Sequence, residues 1–600
     1  MICSSSTIFT AEPRRLRAYA GWLAVAALML SPLAGHADPQ PGTALIAEAR
    51  AALRRDDGID AEMKLRAALA RGVPKQQVAA FMGGAYVRQG DFEHARQWLQ
   101  AGAFSPQTAA EGFRVLAQVE QHDGNLPAAG KAYDRALAIT PRDSGLWVEI
   151  GRLRYRGGQH VLAIQAADHA LTLERHNVRA LEFRGELVRD RYGLLAGMPW
   201  FEAALREAPK DVSVLTQYAA TLGELGRASE MLVATRRVLQ LDPGNPQAYY
   251  LQAVLAARAG RYEVARQLLA RTRGKLDKLP GTILLQAVLE LSAGNTGTAS
   301  ELCEQLLELQ PENMPARQLL ARALYLAGQY RYLTLRFRDD IARDDASAYL
   351  LTVVARGYES IGDRRQAGAL LDRAALPPRA PLRVVPGASD AGALMAQGRS
   401  QDALAAAELA RANEPGSYEN QAIAGDVQLA LGHPVEAQQR YLAAAQIRMS
   451  DSLLERRFQA FARANDLRGA TQMVAAYLLQ SPANRTALRL QAGLDLRMGD
   501  PMRSAVILEY LRRTGSDSDV QLLTDLALVR LGTGAGDEGQ RLAEQAYRLQ
   551  RSNPIAARGL GLAYAAQVTH KAQAVSLLDK ARQLLGDDPL LAGARARLQG

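Results

Sequence analysis

The sequence predicts an all-α solenoid of helical hairpins, and three ladders of residues at one period predict it. Gly90, Gly124, Gly158, Gly226, Gly260, Gly294, Gly328 and Gly362 share a 34-residue phase that only Tyr192 breaks. Five residues later Ala95, Ala129, Ala163, Ala265, Ala299 and Ala367 keep step, with Gly197, Met231 and Leu333 on the remaining rungs. Pro141, Pro209, Pro243 and Pro311 are spaced by one or two whole periods. A fixed period of this length means stacked copies of one supersecondary unit, each burying its apolar face against its neighbours.

A single repeat can be read from Asp211 to Pro243. Val214, Leu215, Tyr218, Ala219 and Leu222 recur at helical spacing, Gly226 permits a tight turn, and Met231, Leu232, Val238, Leu239 and Leu241 form a second apolar stripe. Asp242 and Pro243 then stop the second helix, because proline lacks an amide hydrogen and disfavours helical geometry in the residue before it. The eighth place of the first helix is small throughout (Gly83, Ala117, Gly151, Gly185, Ala219, Ala253, Ala321, Ala355), as close approach of two backbones requires.

Along the chain, residues 1–37 read as a signal peptide. Arg14, Arg15 and Arg17 form a basic start, Ala18 to Leu30 an apolar run, and Gly35-His36-Ala37 a small-residue cleavage site. The chain is therefore expected to be exported and periplasmic, the alternative being an inner-membrane anchor over residues 18–35. Residues 38–376 form the N-terminal array: an irregular helix pair from Ala44 to Arg71, then nine repeats starting near 76, 110, 144, 178, 212, 246, 280, 314 and 348. Pro199 is placed in the first turn of a second helix, where proline is tolerated. Four prolines mark 377–387 as an extended connector, a joint between two solenoid segments or else a long loop on a continuous superhelix. Beyond it, turn residues Gly398, Gly432, Asn465, Gly499 and Gly534 begin a second array, residues 388–600, whose last hairpin spans Pro554 to Leu585 before a capping helix from Pro589 to Leu598.

Small residues at the eighth, twentieth and twenty-seventh places, bulky ones at the fourth, eleventh and twenty-fourth, and proline at the thirty-second make up the tetratricopeptide repeat pattern. The chain resembles that family: Trp147, Gly151, Ala163 and Ala170 fit it in one repeat, and Ala299, Leu306 and Pro311 in another. The resemblance implies a right-handed superhelix and a binding scaffold whose bound partner the fold alone does not name.

Net charge is +10, of which residues 1–37 carry +2, and arginine and aspartate are interspersed with no basic block. This mild excess favours anionic partners such as acidic polysaccharide, lipid headgroups or an acidic protein surface; nucleic acid is not expected as a partner. Cys303 falls on the buried stripe of a second helix and reads as a small hydrophobe. None of the eight histidines stands in metal-ligand spacing, Gly532–Gly539 lacks the Lys-Ser/Thr of a phosphate loop, and Asp339-Asp340, Asp344-Asp345 and Asp587-Asp588 fall where aspartate caps helices. No catalytic residue, metal ligand or cofactor is expected.

A tetratricopeptide superhelix lines its inner groove with the second, fifth, ninth, twelfth and thirteenth places of each first helix. Here those places include Arg114, Gln118, Arg152, Tyr155, Arg156, Tyr250, Arg322, Tyr325 and Arg356, whose guanidinium and phenol groups suit carboxylates, sugar rings and peptide planes. Gln118 stands where the carboxylate-clamping members of the family have asparagine, so that role is not carried over. The stretches LRAALARGVP and GGAYVRQGDFEHARQWL resemble the start of exported bacterial tetratricopeptide proteins of exopolysaccharide and PEP-CTERM (exosortase) systems. That resemblance implies a non-enzymatic envelope scaffold for exopolysaccharide export or biofilm formation, associated with membrane only through partners or an uncleaved N-terminal segment. The other readings are a general envelope adaptor or assembly factor, and a regulatory subunit of an enzyme.

Overall fold

The structure, a computed structural model, describes residues 41–343, 346–375, 390–515, 518–568, 570–586 and 589–599. The signal segment, the 377–387 connector and the pairs Asp344-Asp345 and Asp587-Asp588 lie outside the described residues. Among those described, all regular structure is helical, in 34 helices with no strand. They fall into two compact units that meet in sequence between Pro141 and Arg142, so the helices on both sides of the connector belong to the second unit.

The turns follow the glycine ladder. Each of its glycines takes a left-handed conformation, from φ +71° at Gly260 to +90° at Gly362. At the broken rung Gly193 takes φ +97° one residue later, and in the second array Asn465 adopts φ +56° where its neighbours have glycine. A second ladder stands at the helix starts. The side chains of Asp143, Asn177, Asp211, Asn245, Asn313 and Ser347 each accept from the backbone N–H three residues on, satisfying donors that a helix start leaves without partners.

Small residues at the eighth place let hairpins close. A methyl group at Gly83 would meet Leu99 at 2.6 Å and one at Gly185 the Phe201 ring at 2.9 Å, each on the second helix of the same hairpin, whereas one at Gly151 would meet the Phe183 ring of the next repeat at 2.6 Å. In the N-terminal unit, helices Pro41–Arg54, Gly58–Ala70, Lys75–Gln89 and Phe92–Leu99 bury Leu65, Met82 and Leu99. The second unit continues hairpin on hairpin from Ser144–Arg156 and His160–Leu173 to Pro554–Ala566 and Lys571–Leu585, followed by Pro589–Gln599.

Two details differ from the sequence reading. Pro199 lies inside Leu194–Glu207 as its sixth residue, and not in the first turn. The amide it lacks would have bonded the carbonyl of Leu195, a residue 46% exposed, so solvent reaches that turn. In the repeat from 314 the second helix is split into Tyr330–Arg336 and Arg338–Ala342, with Phe337 fully buried at the break.

Within the second unit the later hairpins come back against the earlier ones. Gly416 backs onto the Arg191 carbonyl, and a methyl group at Gly193 would sit 3.0 Å from Ile447 Cα. Gly226 faces Gln480 and Gly260 faces Ala483. Further along, Arg356 Nη2 donates to the Leu549 carbonyl at 3.2 Å, and Gln550 Nε2 donates to the Leu371 carbonyl. Loop edges of one stretch of hairpins thus abut loop edges of another.

Candidate functional site

The face of the first helices is built by repetition, since a 34-residue repeat returns the same places to the same side. In the N-terminal unit, Arg114 and Gln118 are half-buried, four residues apart on one side of Ala109–His122. In the second unit Arg152 and Tyr155 lie on Ser144–Arg156 and reach forward to the next first helix, Val178–Tyr192. Arg152 forms two hydrogen bonds to Glu186, at 3.0 and 3.2 Å, and its guanidinium lies 4.8 Å from the centre of the Phe183 ring. The Tyr155 hydroxyl donates to Asp190; burial, followed by that bond, pushes the phenol up to about 12. Glu182, 6% exposed, accepts from Ser213 Oγ at 2.6 Å, and burial raises its carboxyl despite Arg152 at 3.9 Å. The groove here is a closed network of acid and base, and its arginine is not free for a partner.

The thirteenth place is structural in three repeats. Arg88 Nε donates to the Leu53 carbonyl at 3.0 Å, Arg258 Nη1 to Gly223 at 2.9 Å and Arg463 Nη1 to Leu429 at 3.0 Å. Each acceptor is the penultimate residue of the preceding first helix, where carbonyls lack intrahelical partners and the helix dipole favours a cation. Arg156, exposed, stands at the same place.

The tyrosines at the groove places act largely as spacers. Tyr250 is half-buried with its hydroxyl against Gly281 at the start of the next first helix, and burial raises its phenol. Tyr325 packs partly buried against the core, its ring 5.5 Å from that of Tyr330. Arg356 is held in the fold: its side chain is 12% exposed, bonds both Glu359 oxygens at 2.9 and 2.7 Å, and donates to Leu549 as described.

Arg322 is different. It is exposed, and the fold-back brings to it residues that the sequence reading had not singled out. Tyr349, 44% exposed, lies within electrostatic reach of both Arg322 and Arg485. Arg485 is anchored through Thr514 Oγ1 at 3.2 Å and the Leu511 carbonyl at 2.9 Å. Burial lowers its guanidinium, and repulsion from Arg322 and Arg489 adds to that against the pull of Asp519. Three arginines and a tyrosine from hairpins far apart in sequence therefore share one field. Tyr349 stands at the second place of its repeat, so the groove rule itself could have found it; Arg485 opens a first helix, and only the fold-back makes it a neighbour.

Cys303 is fully buried, and burial pushes its thiol up to about 12. Among the described residues no group of three or more His, Cys, Asp or Glu is arranged to hold a metal, and no helix is long and apolar enough to cross a membrane.

Residues 217–279 and 524–589 match the tetratricopeptide repeat family, and the chain carries these repeats. Over 294 residues it is 23% identical to Protein CTR9 homolog of Arabidopsis thaliana, which covers 47% of this chain and 25% of that protein. Over 437 residues it is 25% identical to cellulose synthase operon protein C of Xanthomonas axonopodis pv. citri (strain 306), covering 70% and 26%. The chain thus spans about a quarter of the length of these curated relatives. Among solved structures it is similar to the APC/C hetero-tetramer Cut9-Hcn1, with a TM-score of 0.41 and 11% identity over 94% of this chain and 97% of that one.

Proposed function

We propose that this chain, which carries tetratricopeptide repeats, is an exported, non-enzymatic scaffold that joins protein partners in an envelope assembly concerned with exopolysaccharide. The repeats support protein–protein interaction, because stacked hairpins present extended surfaces with the same places returned every repeat. Support for the polysaccharide context comes from the similarity to cellulose synthase operon protein C, and support for export from the basic and apolar start of residues 1–37. The choice of binding surface rests on two exposed arginines, Arg322 and Arg485, both within electrostatic reach of exposed Tyr349. An anionic partner suits it.

The test is charge reversal at exposed positions only. The full mature chain with Arg322→Glu and Arg485→Glu is compared with the parent for retention on immobilised polygalacturonate and for in-cell cross-linking to envelope proteins. Loss of cross-linked partners with unchanged circular dichroism supports the scaffold reading. Loss of polygalacturonate retention alone favours direct glycan binding. Undiminished capture of both moves the general adaptor reading ahead; a mature protein that does not begin at Asp38 refutes cleavage there, and one that stays in the cytoplasm overturns export.

A further inference from the structure

A cavity of about 520 Å³ opens between the second helices His160–Leu173 and Leu194–Glu207, above the first turn of Val178–Tyr192. It lies on the side of the second helices, away from the groove places. Leu171, Leu181 and the half-buried indole of Trp200 wall it, and its size is that of a small-ligand pocket. Exposed Arg175 and Arg206 stand at its rim. Neither is paired with a carboxylate among the described residues; the one acid of the lining, Glu207, accepts from His176 Nδ1 at 2.8 Å.

The repeat pattern departs from itself at this spot. The thirty-second place, which is proline at Pro141, Pro209, Pro243 and Pro311, is Arg175 here. The same junction therefore combines an indole, an apolar wall and a cation where neighbouring repeats have a rigid turn residue.

We propose that this cavity is a second binding site, for an acidic peptide segment that inserts one bulky apolar side chain beside Trp200 and sets its carboxylates against Arg175 and Arg206. Charge complementarity selects an anion, since the rim carries two unpaired cations. The wall selects a peptide over an acidic sugar: sugar hydroxyls placed against Leu171 and Leu181 would lose water without gaining partners, whereas an apolar side chain is favoured there. The site goes beyond the reading that places a partner at Arg322 and Arg485, and does not depend on it.

Fluorescence anisotropy of the full chain with a fluorescein-labelled Gly-Glu-Asp-Phe-Leu-Glu-Asp peptide tests this. Arg175→Glu with Arg206→Glu should weaken binding at least about tenfold, as should Ala203→Phe, which fills the half-buried lining while keeping both cations. Arg322→Glu should leave the affinity unchanged, so failure here and failure of the Arg322–Arg485 surface are told apart. The peptide with serine in place of Phe-Leu should compete poorly, and binding should weaken with salt. No binding at millimolar peptide, indifference to Ala203→Phe, or competition by trigalacturonate as strong as by the peptide overturns the proposal, the last making the cavity an acidic-sugar site.

Discussion

Arg152 and Glu186 occupy the same place in consecutive repeats and join them by two hydrogen bonds of 3.0 and 3.2 Å. The pair is half-exposed on the arginine side, at 40% against 17%, so its strength comes from two-point geometry and from the Phe183 ring beneath the guanidinium. A double-mutant cycle with Arg152→Ala and Glu186→Ala should give a coupling of about 1 kcal/mol in urea unfolding. Additive losses would show that the two repeats are held together by packing alone.

The same substitution at two helix-interior glycines should act with opposite signs. Alanine at Gly151 meets the Phe183 ring, 1% exposed and unable to swing away, and Ala166 Cβ at 3.3 Å. Overpacking of about 1–3 kcal/mol outweighs the roughly 1 kcal/mol gain in helix propensity. At Gly493 nothing lies within 4 Å, so Gly493→Ala should stabilise by about 0.5–1 kcal/mol. Thermal melts of the two variants check both signs at once.

Asp525 carries a pH prediction. Burial raises its carboxyl to about 6; Arg489 opposes the rise, Asp519 adds to it, and Arg489 and Arg558 supply the remaining pulls downward. Arg489 Nε lies 3.4 Å away, too weak a pairing to offset the burial. A folded-state pKa above the unfolded value of about 3.9 means that the native state holds the proton longer, so this group's contribution to stability falls as pH rises from about 4 to about 6. Asp525→Asn removes that slope. Urea midpoints of parent and variant should converge near pH 4 and separate toward pH 7 with the variant more stable, and parallel profiles would refute the shift.

The turns were legible because each depends on one repeat. A glycine at φ +77°, as at Gly226, needs no knowledge of the neighbours, and Asn465 at φ +56° shows that the turn geometry survives substitution by a residue that tolerates it. The groove was only half legible. Arg152 stood out as a cation, but its partner is the acid at the same place one repeat later, which a list of arginines and tyrosines omits. Arg258 was passed over, although its bond to the Gly223 carbonyl shows what the thirteenth place does. Arg356 looked available because its bond to Leu549 joins residues 193 apart, and such a contact is set by how the array winds and not by any single repeat.

That winding is itself open to test at Gly416. The residue is not in a left-handed conformation, so alanine there brings no backbone strain, yet its methyl group would collide with the Arg191 carbonyl and with Tyr192 Cα, 2.8 Å away. Both obstacles are backbone and cannot rotate aside as a side chain would. The contact between the two stretches of hairpins must therefore separate, while each hairpin keeps its own helices. Gly294→Ala serves as the comparison: at φ +87° it strains a turn by about 1–2 kcal/mol, but nothing lies within 4 Å of its new methyl group. Both variants should melt earlier than the parent with circular dichroism retained below the transition. Only Gly416→Ala should raise the radius of gyration in small-angle scattering and speed amide exchange at residues 189–193. If its dimensions and exchange match those of Gly294→Ala, the later hairpins do not rest on the earlier ones in solution, and Arg485 does not share a field with Arg322.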